Sequence, residues 1–407
     1  MLKKNNFKTG TLGSLVLATA IGGLATQAVA DVKIGALYPL SGGLALLGEE
    51  SYRGLELAVD QINENGGVQG ETVVLETGDA VDNNQAIGEA RRLISQEEVK
   101  AIFGTFSSAR AIAASQVAQL SQVPYFELGA VADDVTERGL SYVFRTNPAA
   151  SNFAETIINM LVESIAPELG IAPSELRIGI IHEDSNYGSS VAKHQRTFAE
   201  QEGLNIVMEE HYPASTVDMS SIVLSLQDNE VDIVLQTSYQ DDSVLFLRQA
   251  NERGYQPKAI IGAGGGYSMT PTANAVGHEV IDGVYDVDFT QFAINPDFAP
   301  GVEEFVDAYV ERFGESPRSG HSLMNYVGGH AILSELDQAS DLSATTIRDA
   351  MTGIDIPVGA TAAGIGIKFG ENNQNERAIM MGMQWQDGEL VTVYPEEASV
   401  AEMRINQ

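Results

Sequence analysis

Residues 262–270 read GAGGGYSMT, four glycines in five positions with Tyr267 directly behind them. A glycine-rich turn cradles phosphate when its spacing is G-x-G-x-x-G and a long helix opens from it. Here Gly262, Gly264 and Gly266 form G-x-G-x-G, and no long helix starts within the run, so a nucleotide is not expected. A bare structural turn would account for the glycines. The favoured reading is a loop that lets backbone approach a solute and delivers Tyr267 to it. Other reactive groups are sparse. His182, His194, His211, His278, His321 and His330 are scattered without metal-ligand spacing, and the three side chains of His182-Glu183-Asp184 splay apart at a strand end. The pairs Asp241-Asp242 and Asp286/Asp288 read as helix-start and hinge-region polar residues. There is no cysteine nucleophile, G-x-S-x-G elbow or H-E-x-x-H motif. The chain is therefore expected to be a binder rather than an enzyme, with no metal and no cofactor.

Positioning such a loop needs a scaffold, and the pattern along the chain supplies one. Residues 1–30 carry Lys3, Lys4 and Lys8, an apolar small-residue stretch, and Ala28-Val29-Ala30. This is the layout of a secretory signal peptide, with cleavage expected after Ala30. Losing those lysines and no acid takes the formal charge from −33 to −36, a surface that repels nucleic acid and anionic lipid. No later segment approaches the ~20 apolar residues that cross a bilayer. The protein is therefore expected to be exported and soluble.

Short apolar runs then alternate with helical patterns. VKIGALYPL is followed by ESYRGLELAVDQINENGG, in which Leu55, Ala58, Val59 and Ile62 share a helical face. TVVLETGDA precedes a helix capped by Asn83 or Asn84, and AIFGTF and VPYFEL continue the series. A second cycle runs from helix 150–165 through strand RIGIIHE, helix 187–202, strand IVMEEHY, helix 220–228, strand VDIVLQTS, helix 240–253 and strand KAIIGA. Such alternation predicts parallel sheets covered on both faces by helices. The expected fold is α/β: two Rossmann-like lobes with central, mostly parallel sheets joined by a multi-stranded hinge. The last third holds further helices and an Asp387-Gly388 hairpin but no third βαβ series, so the chain should cross between lobes more than once. The boundaries read as 31–147 plus 288–365 for the first lobe and 148–287 plus 366–407 for the second.

From Val32 to about Tyr394 the chain resembles the type I periplasmic solute-binding proteins of ABC importers, the leucine/isoleucine/valine-binding family. The resemblance is carried by IGALYPLSGGLALLGEESYRGLELAVDQINENGGVQG, GTFSSARA, RIGIIHEDSNYGSS, VDMSSIVLSLQDNEVDIVLQTSYQDDSVLFLRQA and FGESPRSGHSLMNY, in that order. It implies a monomer in the periplasm whose two lobes close on a small solute and deliver it to permease subunits in the inner membrane. A sensory module on the same fold is the alternative class.

The resemblance also assigns candidate residues. Ser108, with Ser107 beside it, falls where a serine holds the ligand's α-carboxylate at a helix start, a place where N–H groups and the helix dipole favour an anion. Gly129 falls where a backbone group meets the ligand, and Tyr187 and Tyr239 on two cleft tyrosines. Four positions depart from the family pattern. Val131 stands for a threonine, Leu47 for a tyrosine, Ala150 for an acidic residue, and Gly264 for the glutamate that pairs with the substrate ammonium. Phe106, Tyr187, Tyr239 and Tyr267 could wall an apolar or cationic body. The ligand is expected to be an amino acid or related small carboxylate, with Glu127 or Asp242 meeting the ammonium. An aromatic or keto acid, a betaine and an amide remain as alternatives.

Overall fold

A computed structural model describes residues 31–405. The expected signal peptide and its cleavage site lie outside the described residues. The first sheet contains β1 (Val32–Tyr38), β2 (Val73–Asp79), β3 (Ile102–Gly104), β4 (Tyr125–Glu127) and β5 (Val143–Arg145). All five are parallel, in the order β2-β1-β3-β4-β5. The second sheet is built from β6 (Arg177–Glu183), β7 (Asn205–Tyr212), β8 (Ile233–Thr237), β9 (Ala259–Ala263), β10 (Tyr285–Asp288), β11 (Met381–Gln386) and β12 (Glu389–Tyr394). Its order is β12-β11-β10-β9-β8-β6-β7, parallel except for β11 and β12, which add antiparallel at one edge.

The central strands are almost wholly buried runs rather than alternating ones, because helices cover both faces. Helix Ala45–Glu64 lies against helix Gly320–Gln338 so closely that a Cβ on Gly54 would stand 1.9 Å from the Ser322 carbonyl oxygen. Only glycine permits that approach. Helix Asn83–Ser95 is capped by Asp82, whose side chain accepts from the Gln85 N–H, and not by Asn83 or Asn84. The helix expected over 150–165 is α-helical to Met160, passes through a π turn at Leu161–Ile165 and resumes to Leu169. Pro167 lacks an N–H and crowds the carbonyl four residues back, and the wider turn relieves this. The hairpin at Asp387-Gly388 has φ of 55° and 86°, as a tight two-residue connection requires.

The chain crosses between the sheets three times. β5 is followed by helix Ala150–Met160, which packs on helix Asn186–Gln201 and β9–β11 of the second sheet. After β10 the chain returns to pack helices Val302–Phe313 and Gly320–Gln338 on Ala45–Glu64. The third crossing was expected at 365/366 but lies beyond Asn375. Ile367 pairs with Ile356, Gln374 with Arg145, and the Asn375 N–H donates to the Arg145 carbonyl.

Each sheet has the doubly wound order in which its second strand pairs outside its first. Ligands of such sheets gather beyond the strands' carboxyl ends, where the strand order reverses. That rule points to the loops after β1 and β3 in the first sheet and after β6 and β8 in the second.

Candidate functional site

The loops after β3 and β4 are organised by one carboxylate. Glu127 ends β4 and is fully buried. It accepts from the N–H groups of Thr105 (2.7 Å), Phe106 (2.9 Å), Gly129 (3.1 Å) and Ala130 (2.8 Å), and from the Tyr125 hydroxyl (3.1 Å). Burial pushes its pKa up to about 7, against the pull of the four N–H donors. This grip holds Phe106 at φ 57°, a left-handed conformation costly for an aromatic residue. The Phe106 ring is thereby turned toward the cleft.

Behind Phe106, helix Ser108–Ser121 begins with Ser107 as its N-cap, although no side-chain cap bond forms there. The Ser107 hydroxyl instead accepts from Arg110 at 2.8 Å, and the Ser108 hydroxyl accepts from the Ala132 N–H at 3.1 Å. Each oxygen acts there as an acceptor, which leaves its proton to donate elsewhere.

The second lobe contributes two tyrosines from helix starts. Ser185 caps helix Asn186–Gln201, and Glu183 gathers the Ser185 N–H and hydroxyl and the Gly188 N–H beneath it. This places Tyr187 with its hydroxyl donating to the Ala263 carbonyl. Tyr239 is the N-cap of helix Gln240–Glu252, and its ring lies 5.2 Å from that of Tyr187. Burial and the Glu183 charge raise the Tyr239 phenol, while Arg110 and Ser107 across the cleft pull it back.

Between these walls lies a narrow cavity of about 20 Å³, room for about one water-sized molecule. Phe106, Gly129, Val131, Tyr187 and Tyr239 line it, as does Gly265 from the glycine run. Leu47, Ser107, Ser108, Gly264 and Tyr267 do not. Leu47 packs with Phe106 and Met269 in a separate apolar cluster that also takes in Leu44 and Tyr239. Tyr267 is not delivered to the cleft: its ring is fully buried in the second lobe and its hydroxyl donates to Gln236. Ala150 starts its helix with its N–H donating to the Val131 carbonyl.

The glycine run therefore reflects crowding. A Cβ on Gly262 would meet the Tyr267 ring at 2.5 Å, one on Gly266 the Ser243 hydroxyl at 1.8 Å, and one on Gly264 the Phe153 ring at 2.9 Å and Asp288 at 3.0 Å.

Neither expected ammonium partner is at the cavity. Glu127 is saturated by its five donors, and Asp242 accepts from Tyr212 at 2.8 Å, with burial pushing it up to about 8. Sequence reasoning missed Phe153, Asp288, Phe289 and His321, which complete the lining at the hinge. Asp288 had a legible signal, since it ends strand YDVD at the edge where such sheets present ligand groups. The rings came from segments distant in sequence and had none.

The lobes also touch outside the cavity. His194 and Lys193 of the second lobe approach the Asp133 carboxylate of the first at 2.6 and 3.5 Å, and the Asp133 N–H donates to the Ser190 hydroxyl at 3.1 Å. The cleft is closed in this structure. Among the described residues no group of His, Asp and Glu is placed to hold a metal ion, and no helix is long and apolar enough to cross a membrane.

Two facing α/β lobes with a small cavity at their carboxyl edges define a hinged binding protein. Residues 31–389 match the family described as periplasmic binding protein, and the chain belongs to that family. Membership implies a periplasmic location, a small-molecule ligand and partnership with an ABC transporter. Two relatives from Brucella suis biovar 1 (strain 1330), named Leu/Ile/Val-binding protein homologs 7 and 8, are each 62% identical. The first match covers 97% of this chain and 98% of the relative, the second 98% of each. The branched-chain amino acid transporter substrate binding protein LivJ of Streptococcus pneumoniae, solved with isoleucine, superposes with a TM-score of 0.78 at 22% identity. That match covers 91% of this chain and 99% of LivJ. The leucine binding protein LivK of Thermotoga maritima gives 0.77 at 21% identity, over 89% of this chain and 97% of LivK.

Proposed function

We propose that the protein is the solute-capturing component of an ABC importer, taking an amino acid or closely related small carboxylated compound between its lobes and presenting it to the permease. The observation that carries this reading is the cavity itself, walled by Phe106, Gly129 and Val131 from one sheet's carboxyl edge and by Tyr187, Tyr239 and Gly265 from the other's. The names of the Brucella relatives favour an amino acid. The carboxylate end of the solute would be met from the start of helix Ser108–Ser121, directly after the lining residue Phe106, where the Ser107 and Ser108 hydroxyl protons and the first N–H groups can donate.

The moving bodies are residues 31–147 with 288–375, and residues 148–287 with the C-terminal hairpin, turning on the three crossings. Solute binding drives closure only as far as it favours the closed form over the open one. In this reading the protein works as a monomer, binds without turnover and does not take nucleic acid. A thermal-shift screen over the twenty amino acids, followed by calorimetry, tests it. A true ligand at 100 times its Kd stabilises the protein by about 2.7 kcal/mol. Binding that survives both Tyr187→Ala and Tyr239→Ala would overturn the placement in this cleft.

A further inference from the structure

We infer that Asp288 is the counter-charge for the ligand's ammonium group, so that this cleft selects a primary or secondary ammonium within an aromatic box. The inference rests on the cleft being the solute site. Asp288 ends β10, is fully buried and lines the cavity. Its Oδ1 accepts from the N–H of its own neighbour, Phe289, at 2.7 Å, while its Oδ2 makes no hydrogen bond, and the buried Ser268 hydroxyl beside the carboxylate makes none either. His321 Nδ1 stands 3.9 Å from that oxygen, beyond hydrogen-bond reach. A buried carboxylate oxygen left unpaired is costly, and native structures keep few of them without a use.

The surroundings fit a cation. Tyr187 and Tyr239 pack 5.2 Å apart, Phe153 and Phe289 6.0 Å apart, and Phe289 and His321 5.0 Å apart, and these rings line the same cavity as Asp288. Aromatic faces attract a cation, more strongly once water is excluded. A quaternary ammonium has no N–H to offer the open Oδ2, whereas a primary or secondary one does.

The carboxylate also stands where the neighbouring loop leaves room for it. Gly264 has φ of 68°, and a Cβ there would come within 3.0 Å of Asp288 Oδ1. A bare residue at 264 and an acid at 288 therefore occupy one space between them. Burial raises both Asp288 and Asp286, the Asp288 charge adding to the rise at Asp286, while His321, the Ser268 hydroxyl and the Phe289 N–H oppose it at Asp288. An incoming ammonium would relieve that burden.

Calorimetry on the full-length mature protein tests the assignment with three sets of probes: the twenty amino acids, the α-keto acids of those that bind, and glycine betaine. The wild type is expected to bind at least one amino acid and to bind its keto acid at least roughly 100-fold more weakly. Asp288→Asn should lose roughly 100-fold in amino-acid affinity, the scale seen when one partner of a buried charge pair is removed. The unliganded variant should melt no lower than wild type, which shows that it folds. Equal binding of amino acid and keto acid, tight binding of betaine, or undiminished amino-acid affinity in Asp288→Asn would overturn the assignment and leave the cleft reading intact. Binding insensitive to Tyr187→Ala and Tyr239→Ala would remove the cleft reading and this inference with it.

Discussion

Two buried carboxylates end strands at the mouth of the same cleft, and their surroundings differ in kind. Glu127 of the first lobe is enclosed by four N–H donors and a phenol. Asp288 of the second lines the cavity, with a single backbone donor and one buried oxygen that makes no hydrogen bond. Burial raises the pKa of both, so desolvation by itself does not separate their roles. Hydrogen-bond satisfaction does. A carboxylate with every acceptor site occupied is a strut for the loops it holds, and one with a vacant site in a cavity is a contact for something that enters.

The largest expected effect breaks the strut. Glu127→Gln puts an NH₂ group among N–H donors and should lower unfolding stability by about 2–4 kcal/mol, because buried donors lose a charged acceptor. A shift in the urea midpoint measures it, and the unliganded Asp288→Asn variant should show no such loss. Equal destabilisation by the two changes would erase the distinction between strut and contact.

A smaller effect is expected at the contact between lobes. Asp133→Asn weakens the approach of His194 and Lys193 without touching the cavity lining. It should raise the ligand dissociation rate by a few fold, on the order of 1 kcal/mol, with the association rate little changed. Stopped-flow kinetics separates the two rates.

The smallest is a pH effect at the same place. Burial tends to raise the Asp133 pKa, but His194 and Lys193 outweigh it and hold the carboxyl below its usual range. A carboxyl depressed in the closed form stabilises that form above its ordinary pKa of about 3.9, and the contribution is lost as pH falls through the lowered value. Ligand affinity in Asp133→Asn should therefore depend less on pH along the acid limb than in wild type. Parallel acid limbs for the two proteins would place the sensitivity elsewhere.

Much of the architecture was legible because it follows from local pattern. Buried runs such as VKIGALY and RIGIIHE are strands covered on both faces, and the amphipathic stretches between them are the helices. The hairpin at Asp387-Gly388 announced itself by residue type. The site was only partly legible. Gly129, Val131, Tyr187, Tyr239 and Phe106 follow strand ends closely and were placed at the cavity, which they line. Tyr267 was misplaced, since nothing in GAGGGYSMT says whether the ring turns to the cleft or into the sheet. Packing against Gly262 and a bond to Gln236 settle its direction. The third crossing was misplaced because IGIKF reads as a strand without naming its partner, and Arg145 and Ile356 are far away in the chain.

The amino-acid sequence by itself determined the alternation of strands and helices, the two sheets and the strand ends from which a ligand site is built, because periodicity and turn chemistry act over a few residues. Only the tertiary structure decided that Phe106 and not Ser107 or Ser108 faces the cavity, that Glu127 is enclosed, and that Asp288 meets Phe153, Phe289 and His321. Those outcomes depend on how many donors reach each buried oxygen and which ring fills each gap, and both are fixed by segments brought together from across the whole chain.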